Sequence, residues 1–596
     1  MKRLLKSLAC LLIACSLVAC SPSEPSQDNN DVSKIENGVY EGVGSGKGGE
    51  IELNVTIEND KIIKIDVIKE NETPGFKNAL DTLSEAVINN NSLDVDAVSG
   101  CTLTSNGFFE ATTKALEAAG ATSEMLAKVE VVNNNEAKEI TEDYDVVVVG
   151  AGGAGLTAAI QAKLDGANVL VIEKMSMAGG NTYISGAEMA APNNWIQKRD
   201  GLEDSIDLMI EDTLVGGDNI NERDLVTVVA TNALAGAEWL RDEVGVIWED
   251  ELMFFGGHSV MRSLIPLGAS GVEIIEKQVA KAKELNIPVY YNTKASDLIV
   301  TDGVVSGVNA NNDAENISYT LNAKNVILAT GGFGSNVEMR VKYNPDIDGS
   351  ILSTNSVGSQ GDGIVMAENI GANLVGMEHI QTYPICDPLT GTLLYFDDAR
   401  LYGHTVIFNK EGKRFVEELG RRDVMSFAIK AQTGNVCYEI VDENGFVNSK
   451  LEENHGPEID YLYNNDLLVK ADTLEEAAKF FDIDYNNLKE TIDNYNTYVD
   501  DKKDPEFNKR SMPSKIEKGP FYILKAAPAV HHTMGGIQIN TEAQVINTDG
   551  EVIEGLYAAG EVTGGIHGTN RLGSNAIADI TVFGRVAGSN AAKGSK

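Results

Sequence analysis

Cysteine is scarce in this chain of 596 residues, with only Cys10, Cys15, Cys20, Cys101, Cys386 and Cys437. So few thiols make no disulfide framework. No C-x-x-C-H is present, which excludes c-type haem attachment, and no Cys/His cluster has zinc spacing, so no metal site is expected. Basic residues are also short: 48 Lys and Arg stand against 89 Asp and Glu, a net charge of −41. A chain this acidic is a poor partner for nucleic acid or an anionic membrane surface. Its exterior repels small carboxylates, so a carboxylate substrate has to meet a locally basic pocket. Internal repeats and low-complexity tracts are absent. The apolar run Leu4–Ala19 is too short to span a bilayer well.

What is present is ordinary for a soluble globular protein: 43% hydrophobic and 23% charged residues. The length calls for about three to four folding units. Lys2, Arg3 and Lys6 precede the apolar run, which ends in Leu17-Val18-Ala19-Cys20. That ending resembles a bacterial lipobox and implies cleavage before Cys20 and lipid attachment to its thiol. The expected location is extracytoplasmic, anchored to the cell membrane by lipid. Residues 21–36 are then a polar tether.

Residues 37–119 read as a small α+β module. The stretches 51–57 and 62–67 alternate apolar and polar residues as half-buried strands do, and 76–89 and 107–119 read as helices. The polar stretch 120–142 reads as linker. A second unit occupies 143–377 and resumes at 531–596. Between them, 378–530 is more polar and looks like an inserted cap.

Val146–Val149 is a buried-strand run that leads into Gly150, Gly152 and Gly155, a G-x-G-x-x-G, with Gly153 beside them. The first glycine allows the tight turn, the second close approach to a pyrophosphate, and the third helix–strand packing. The pyrophosphate then meets a helix N-terminus. Glu173 ends the next strand, where an acid bonds ribose hydroxyls. Three further blocks resemble those of one FAD superfamily: 173–181, 329–332 and 555–561. They add Lys174, Gly180, Asn181, Thr182, Gly331, Gly332, Gly560 and Glu561 to the expected FAD set, with Asn575 and Ala576 further on.

The FAD region is similar to the soluble fumarate reductase and urocanate reductase family over about 143–594. The N-terminal module is similar to the FMN-binding domains of that family. The carrying blocks are His531-His-Thr-Met-Gly-Gly536, Gly560-Glu-Val-Thr-Gly-Gly565, His567 to Asn575, and Gly412 to Asp423. The resemblance implies a Rossmann-like α/β FAD domain with an inserted α+β clamp, preceded by an α+β FMN domain. It implies reduction of a C=C bond conjugated to a carboxylate, with Arg422 as proton donor and Arg571 and His531 holding the carboxylate. Asp398 and Arg400 fall where the family resupplies the proton, with Asp397 a rival for Asp398. An arginine is a poor acid in water and serves only in a dry pocket with prompt reprotonation.

The chain departs from the fumarate pattern at Tyr383, which stands where fumarate reductases carry a histidine for the second carboxylate. Tyrosine with Asp398 suits an imidazole ring better, as in urocanate reductases. Urocanate is the first expectation, fumarate the second, and a cinnamate-like acid the third; an FAD dehydrogenase or oxidase on the same fold is a different class. The motif Asp96–Thr104 resembles a covalent FMN-attachment site. Thr102 is the implied phosphoester acceptor, Thr104 its rival, and a flavin transferase the implied partner. Tethered FMN would pass electrons to FAD from a membrane donor, a quinol- or NADH-linked flavoprotein or cytochrome.

Overall fold

A computed structural model describes residues 35–46, 49–70, 74–93, 95, 102–121 and 137–595. Cys20, the proposed tether up to residue 34, and most of the Asp96–Thr104 motif, including Cys101, lie outside the described residues.

The N-terminal module is a three-stranded antiparallel sheet, β1 (Gly38–Gly46), β2 (Gly49–Glu58) and β3 (Lys61–Lys69), covered by α1 (Pro74–Asn90) and α2 (Thr102–Ala118). Alternation along β2 buries Ile51, Leu53, Val55 and Ile57 under the helices. β1 lies so close to α2 that a side chain on Gly44 would sit 2.0 Å from the Gly107 carbonyl oxygen. Helix α2 begins five residues before the sequence-predicted start of 107 and so includes Thr102 and Thr104.

The second unit is built on a sheet whose central strands are parallel. β4 (Lys138–Val149) lies between the strand Ile317–Leu328 and β5 (Val169–Ile172), with Val289–Tyr290 beyond. Both faces are covered, so Val146–Val149 is buried at every residue. β4 starts at Lys138, inside the stretch read as linker, because residues 138–142 pair with the strand 317–328. Helix Asn575–Gly594 packs on helix Gly153–Leu164 through close backbone approach: a side chain on Gly588 would lie 2.3 Å from the Ala158 carbonyl oxygen.

The cap has its own sheet. Strand Phe521–Thr533 pairs with Ile380–Cys386, with Cys437–Asp442 and with Leu468–Ala471. It separates two cores, one around Tyr383, Ala399 and Met425, the other around Phe408, Tyr438 and Tyr495. Phe521–Thr533 carries His531 at its end, so the cap's central strand delivers that side chain to the junction with the FAD unit. Among the described residues no helix is long and apolar enough to cross a membrane.

Candidate active site

The first site is the cleft at the carboxyl ends of β4 and β5. Gly150, Gly152, Gly153, Glu173, Lys174, Gly180, Asn181, Thr182, Gly331 and Glu561 line it. Gly150 has φ +108°, open to glycine and strained for other residues. A side chain on Gly155 would fall 1.9 Å from the Gly150 carbonyl oxygen, whereas one on Gly152 meets only the Gly179 oxygen at 3.8 Å. Gly155 therefore closes the turn, and Gly152 keeps space open toward the cleft. Helix Gly153–Leu164 has no side-chain cap at Gly152, which leaves its first N–H groups free for an anion. These features fit a dinucleotide pyrophosphate.

Glu173 accepts hydrogen bonds from the Ala151 N–H at 2.8 Å and the Met175 N–H at 2.9 Å. Lys174 pairs with Asp362. Asn181 donates to Glu561 Oε2 at 3.0 Å and to Asn355 Oδ1 at 2.7 Å, and accepts from the Ser356 N–H at 2.8 Å. Glu561 in turn accepts from the Thr533 N–H at 3.0 Å, tying the cleft to the segment that carries His531. Gly332 abuts Thr533, Gly560 has φ +80°, and Asn575 donates to Thr213 Oγ1 at 3.0 Å; these shape the cleft from behind, and Ala576 starts the helix 575–594 with Asn575. The loop 356–362 also lines the cleft. Its sequence, Ser-Val-Gly-Ser-Gln-Gly-Asp, is the small-residue signal that sequence reading passed over.

The second site lies between this unit and the cap. Arg422 opens helix Arg422–Lys430, and its guanidinium sits 4.8 Å over the Tyr383 ring. The Tyr383 and His531 rings are 5.4 Å apart. Arg571 is held by its loop: Gln381 donates to Asn570 Oδ1 at 2.7 Å and to the Arg571 carbonyl at 2.8 Å. Gln381 and Asn570, which carry no sequence signal, position Arg571. Arg422 Nη1, Arg571 Nε and His532 Nε2 are buried without a hydrogen-bond partner among the described residues. Burial, with Arg422 adding repulsion, lowers the Arg571 pKa to about 9; burial lowers Arg422 as well. A buried guanidinium depressed by a second one calls for an anion beside them. His531 is held neutral by burial and by both arginines, and its Nδ1 is 2.9 Å from Thr354 Oγ1.

The two aspartates separate. Asp397 takes Arg400 in a two-pronged pair, Nε–Oδ1 2.5 Å and Nη2–Oδ2 2.6 Å, and accepts the Tyr383 hydroxyl at 2.7 Å. Burial pushes the Asp397 carboxyl up, against the pull of Arg400 and Tyr383. Asp398 instead faces His455 Nε2 at 3.0 Å, and His455 stacks on Tyr395 at 5.3 Å. Arg422 lies over the Tyr383 ring face, and hydrogen bonds run from the Tyr383 hydroxyl to Asp397 and from Arg400 to Asp397. Tyr383 presents its ring to the cleft and commits its hydroxyl to Asp397.

Glu188, which sequence reading did not single out, is half-buried at the same cleft. Burial, and then Asp398, push its carboxyl up to about 7 against Arg422 and Arg571. The site therefore brings a carboxyl, with Asp398 near it, to the two arginines.

The FAD binding domain family matches residues 145–577, and the FMN-binding domain family matches residues 46–117. The chain is 48% identical over 557 residues to the urocanate reductase of Eggerthella lenta, covering 93% of this chain and 92% of that protein. It is 41% identical over 458 residues to the fumarate reductase (cytochrome) of Shewanella frigidimarina, covering 76% of this chain and 78% of that one. Among solved structures, the open conformation of a flavocytochrome c3 fumarate reductase superposes with a TM-score of 0.67 at 39% identity, covering 76% of this chain and 79% of that chain.

Proposed function

Because this chain belongs to the flavin-dependent fumarate and urocanate reductase family and is an FAD- and FMN-dependent oxidoreductase acting on CH–CH groups, we propose that it reduces urocanate to imidazole propionate. The observation that carries the reading is the polarity of the pocket. Arg571, with Arg422 and His531 beside it, suits the carboxylate of the substrate. Glu188 and Asp398, the carboxyls in reach of these cations, suit an imidazole N–H and repel the second carboxylate of a dicarboxylate such as fumarate.

Bound FAD supplies a hydride to one alkene carbon. Arg422 gives the proton to the neighbouring carbon. Burial lowers its pKa, which makes it a stronger acid than an arginine in water. Asp397 and Arg400, paired with each other and with the Tyr383 hydroxyl behind the ring that Arg422 covers, are the acid and base that return the proton to Arg422. The cap excludes water, which keeps the guanidinium acid and the flavin away from side reactions.

In the same reading, electrons reach FAD from FMN esterified to a threonine of α2. Thr104 is fully buried, which favours Thr102, the first residue of that helix, as the acceptor. A flavin transferase attaches it, and a donor in the membrane reduces it. The lipobox ending in Cys20 supports a lipid-anchored, extracytoplasmic protein.

The test is a panel of enoates mixed with dithionite-reduced holoenzyme. Urocanate reoxidises the flavin fastest, with fumarate and a cinnamate slower. Fumarate reoxidising it as fast as urocanate sinks the substrate assignment.

A further inference from the structure

Behind the Asp397–Arg400 pair lies a carboxyl that the site does not use. Glu439 occupies the middle of strand Cys437–Asp442, paired to Ile407 on one side and Leu524 on the other, and is fully buried. Strand alternation puts Cys437, Glu439 and Val441 on one face. Cys437 and Val441 pack in the core with Tyr383, Ala399 and Met425, so Glu439 points toward that layer. Arg400 lies in it: Nη1 reaches the Glu418 carbonyl at 2.9 Å and Met425 Sδ at 3.9 Å. The cross-strand neighbour Ile407 donates its N–H to Glu418 Oε1 at 3.3 Å.

The hydrogen-bonding side chain beside Glu439 is the Thr405 hydroxyl, and its pull on the carboxyl is smaller than the push from burial and Asp397, which raise it well above the usual range. Lys509, also buried, donates to the Gly403 carbonyl at 3.2 Å and to the Thr405 carbonyl. The charged groups facing Glu439 are Asp397, Arg400 and Lys509. An ionised carboxylate facing a single neutral hydroxyl in a closed core is costly, so this one keeps its proton.

We infer that Glu439 is the proton-relay residue behind Arg400, loaded from solvent through Thr405 and Lys509. It acts through Arg400 rather than on the substrate, and the inference rests on the reading of Arg422 as donor. When Arg422 has given its proton to the alkene carbon, it regains one from Arg400 by way of Asp397. The Glu439 carboxylic acid then reprotonates Arg400, and the carboxylate left behind is reloaded from water past the Thr405 hydroxyl and the Lys509 ammonium. One proton enters from solvent for each proton placed on carbon. Both electrons arrive with the flavin hydride, so no further reductant is needed.

The test is Glu439→Gln in the FAD- and FMN-loaded protein. Infrared difference spectra between wild type and variant, in H2O and D2O at neutral pH, show a protonated-carboxyl band that shifts in D2O and disappears in the variant. No such band at position 439 overturns the proposal. With saturating enoate, kcat falls on the order of a hundredfold, KM is kept, flavin reduction by dithionite is kept, and the solvent isotope effect on kcat grows. An unchanged kcat and isotope effect also overturns it. If Glu439→Gln does not fold, Thr405→Val removes only the hydroxyl beside Glu439: the carboxyl band stays but shifts in frequency, kcat falls, KM is kept and the solvent isotope effect on kcat grows, and an unchanged kcat and isotope effect overturns the proposal. An enoate panel in which nothing reoxidises the flavin overturns the reading of the site instead, and leaves the infrared band in place.

Discussion

Exchanging Asp397 and Asp398 for asparagine, one at a time, separates two neighbouring acids by effect. Asp397→Asn removes the charge that faces Arg400 through two short contacts in a site where both side chains are at most 5% exposed. Breaking such a buried pair leaves an uncompensated guanidinium and costs about 3–5 kcal/mol. The asparagine oxygen still accepts one bond, which places the loss at the lower end. Proton return to Arg422 is interrupted as well, and kcat falls by roughly 100-fold or more, the range of lost general acid–base catalysis. Substrate binding is little changed, because Asp397 reaches the cleft only through Tyr383.

Asp398→Asn acts differently. Its partner His455 is 17% and the aspartate 22% exposed, so the pair contributes about 1 kcal/mol or less. In the proposed orientation Asp398 faces the imidazole end, and losing a charge-assisted bond there costs about 1.5–3 kcal/mol, a rise in the urocanate KM of roughly 10- to 100-fold. Removing it also lets the Glu188 carboxyl fall from about 7. The assays are steady-state kinetics with a dithionite-reduced donor dye and denaturant melts of the holoenzyme. If Asp398→Asn loses kcat at constant KM while Asp397→Asn is near wild type, Asp398 is the relay acid and the geometric assignment is wrong.

Gly155→Ala breaks the turn at Gly150 and yields protein with little flavin and a lower melting temperature, whereas Gly152→Ala melts normally but binds FAD weakly; equal flavin content in both refutes the division of labour between the two glycines. Thr102→Val abolishes flavin fluorescence retained by the denatured chain on a gel, and fluorescence kept by that variant but lost in Thr104→Val reverses the acceptor. The Arg571 pKa is lowered to about 9, so its charge is complete below that pH and lost as pH rises through it. Accordingly kcat/KM for a carboxylate substrate falls above about pH 9 while kcat stays flatter, since bound carboxylate raises that pKa; a pH-independent kcat/KM through this range contradicts Arg571 as the anion holder.

The Rossmann half was legible because its signals are local. Val146–Val149, the spaced glycines and Glu173 lie within a single βαβ unit, and each has a backbone reason to be where it is. The loop 356–362 was not legible, because it is brought to the cleft by Asn181 from far along the chain. The start of β4 at Lys138 was hidden in a polar alternation that only its pairing with the strand 317–328 turns into sheet. Glu188 carried no motif, since what distinguishes it is the charge around it. The choice between Asp397 and Asp398 turns on helical spacing: Asp397 and Arg400 are three residues apart and meet on one face of a short helical turn, and Asp398 is turned away to His455.

The net charge of −41 and the buried arginine pair belong to one argument. Long-range repulsion from an acidic surface is screened within about 8–10 Å in physiological salt, while a charge in a closed cleft is not. The surface therefore lowers the encounter rate of small anions without setting what binds. Selection falls to the short-range field, where burial and Arg422 hold the Arg571 pKa down until a carboxylate arrives. Ligand charge then restores Arg571 and compensates the repulsion, so affinity for a monocarboxylate is gained from strain already present in the free site. A second carboxylate gains nothing of the kind, because the remaining charged groups around the arginines include Glu188 and Asp398. These carboxyls discriminate by what they repel, and an imidazole N–H is the group that turns the same two into acceptors.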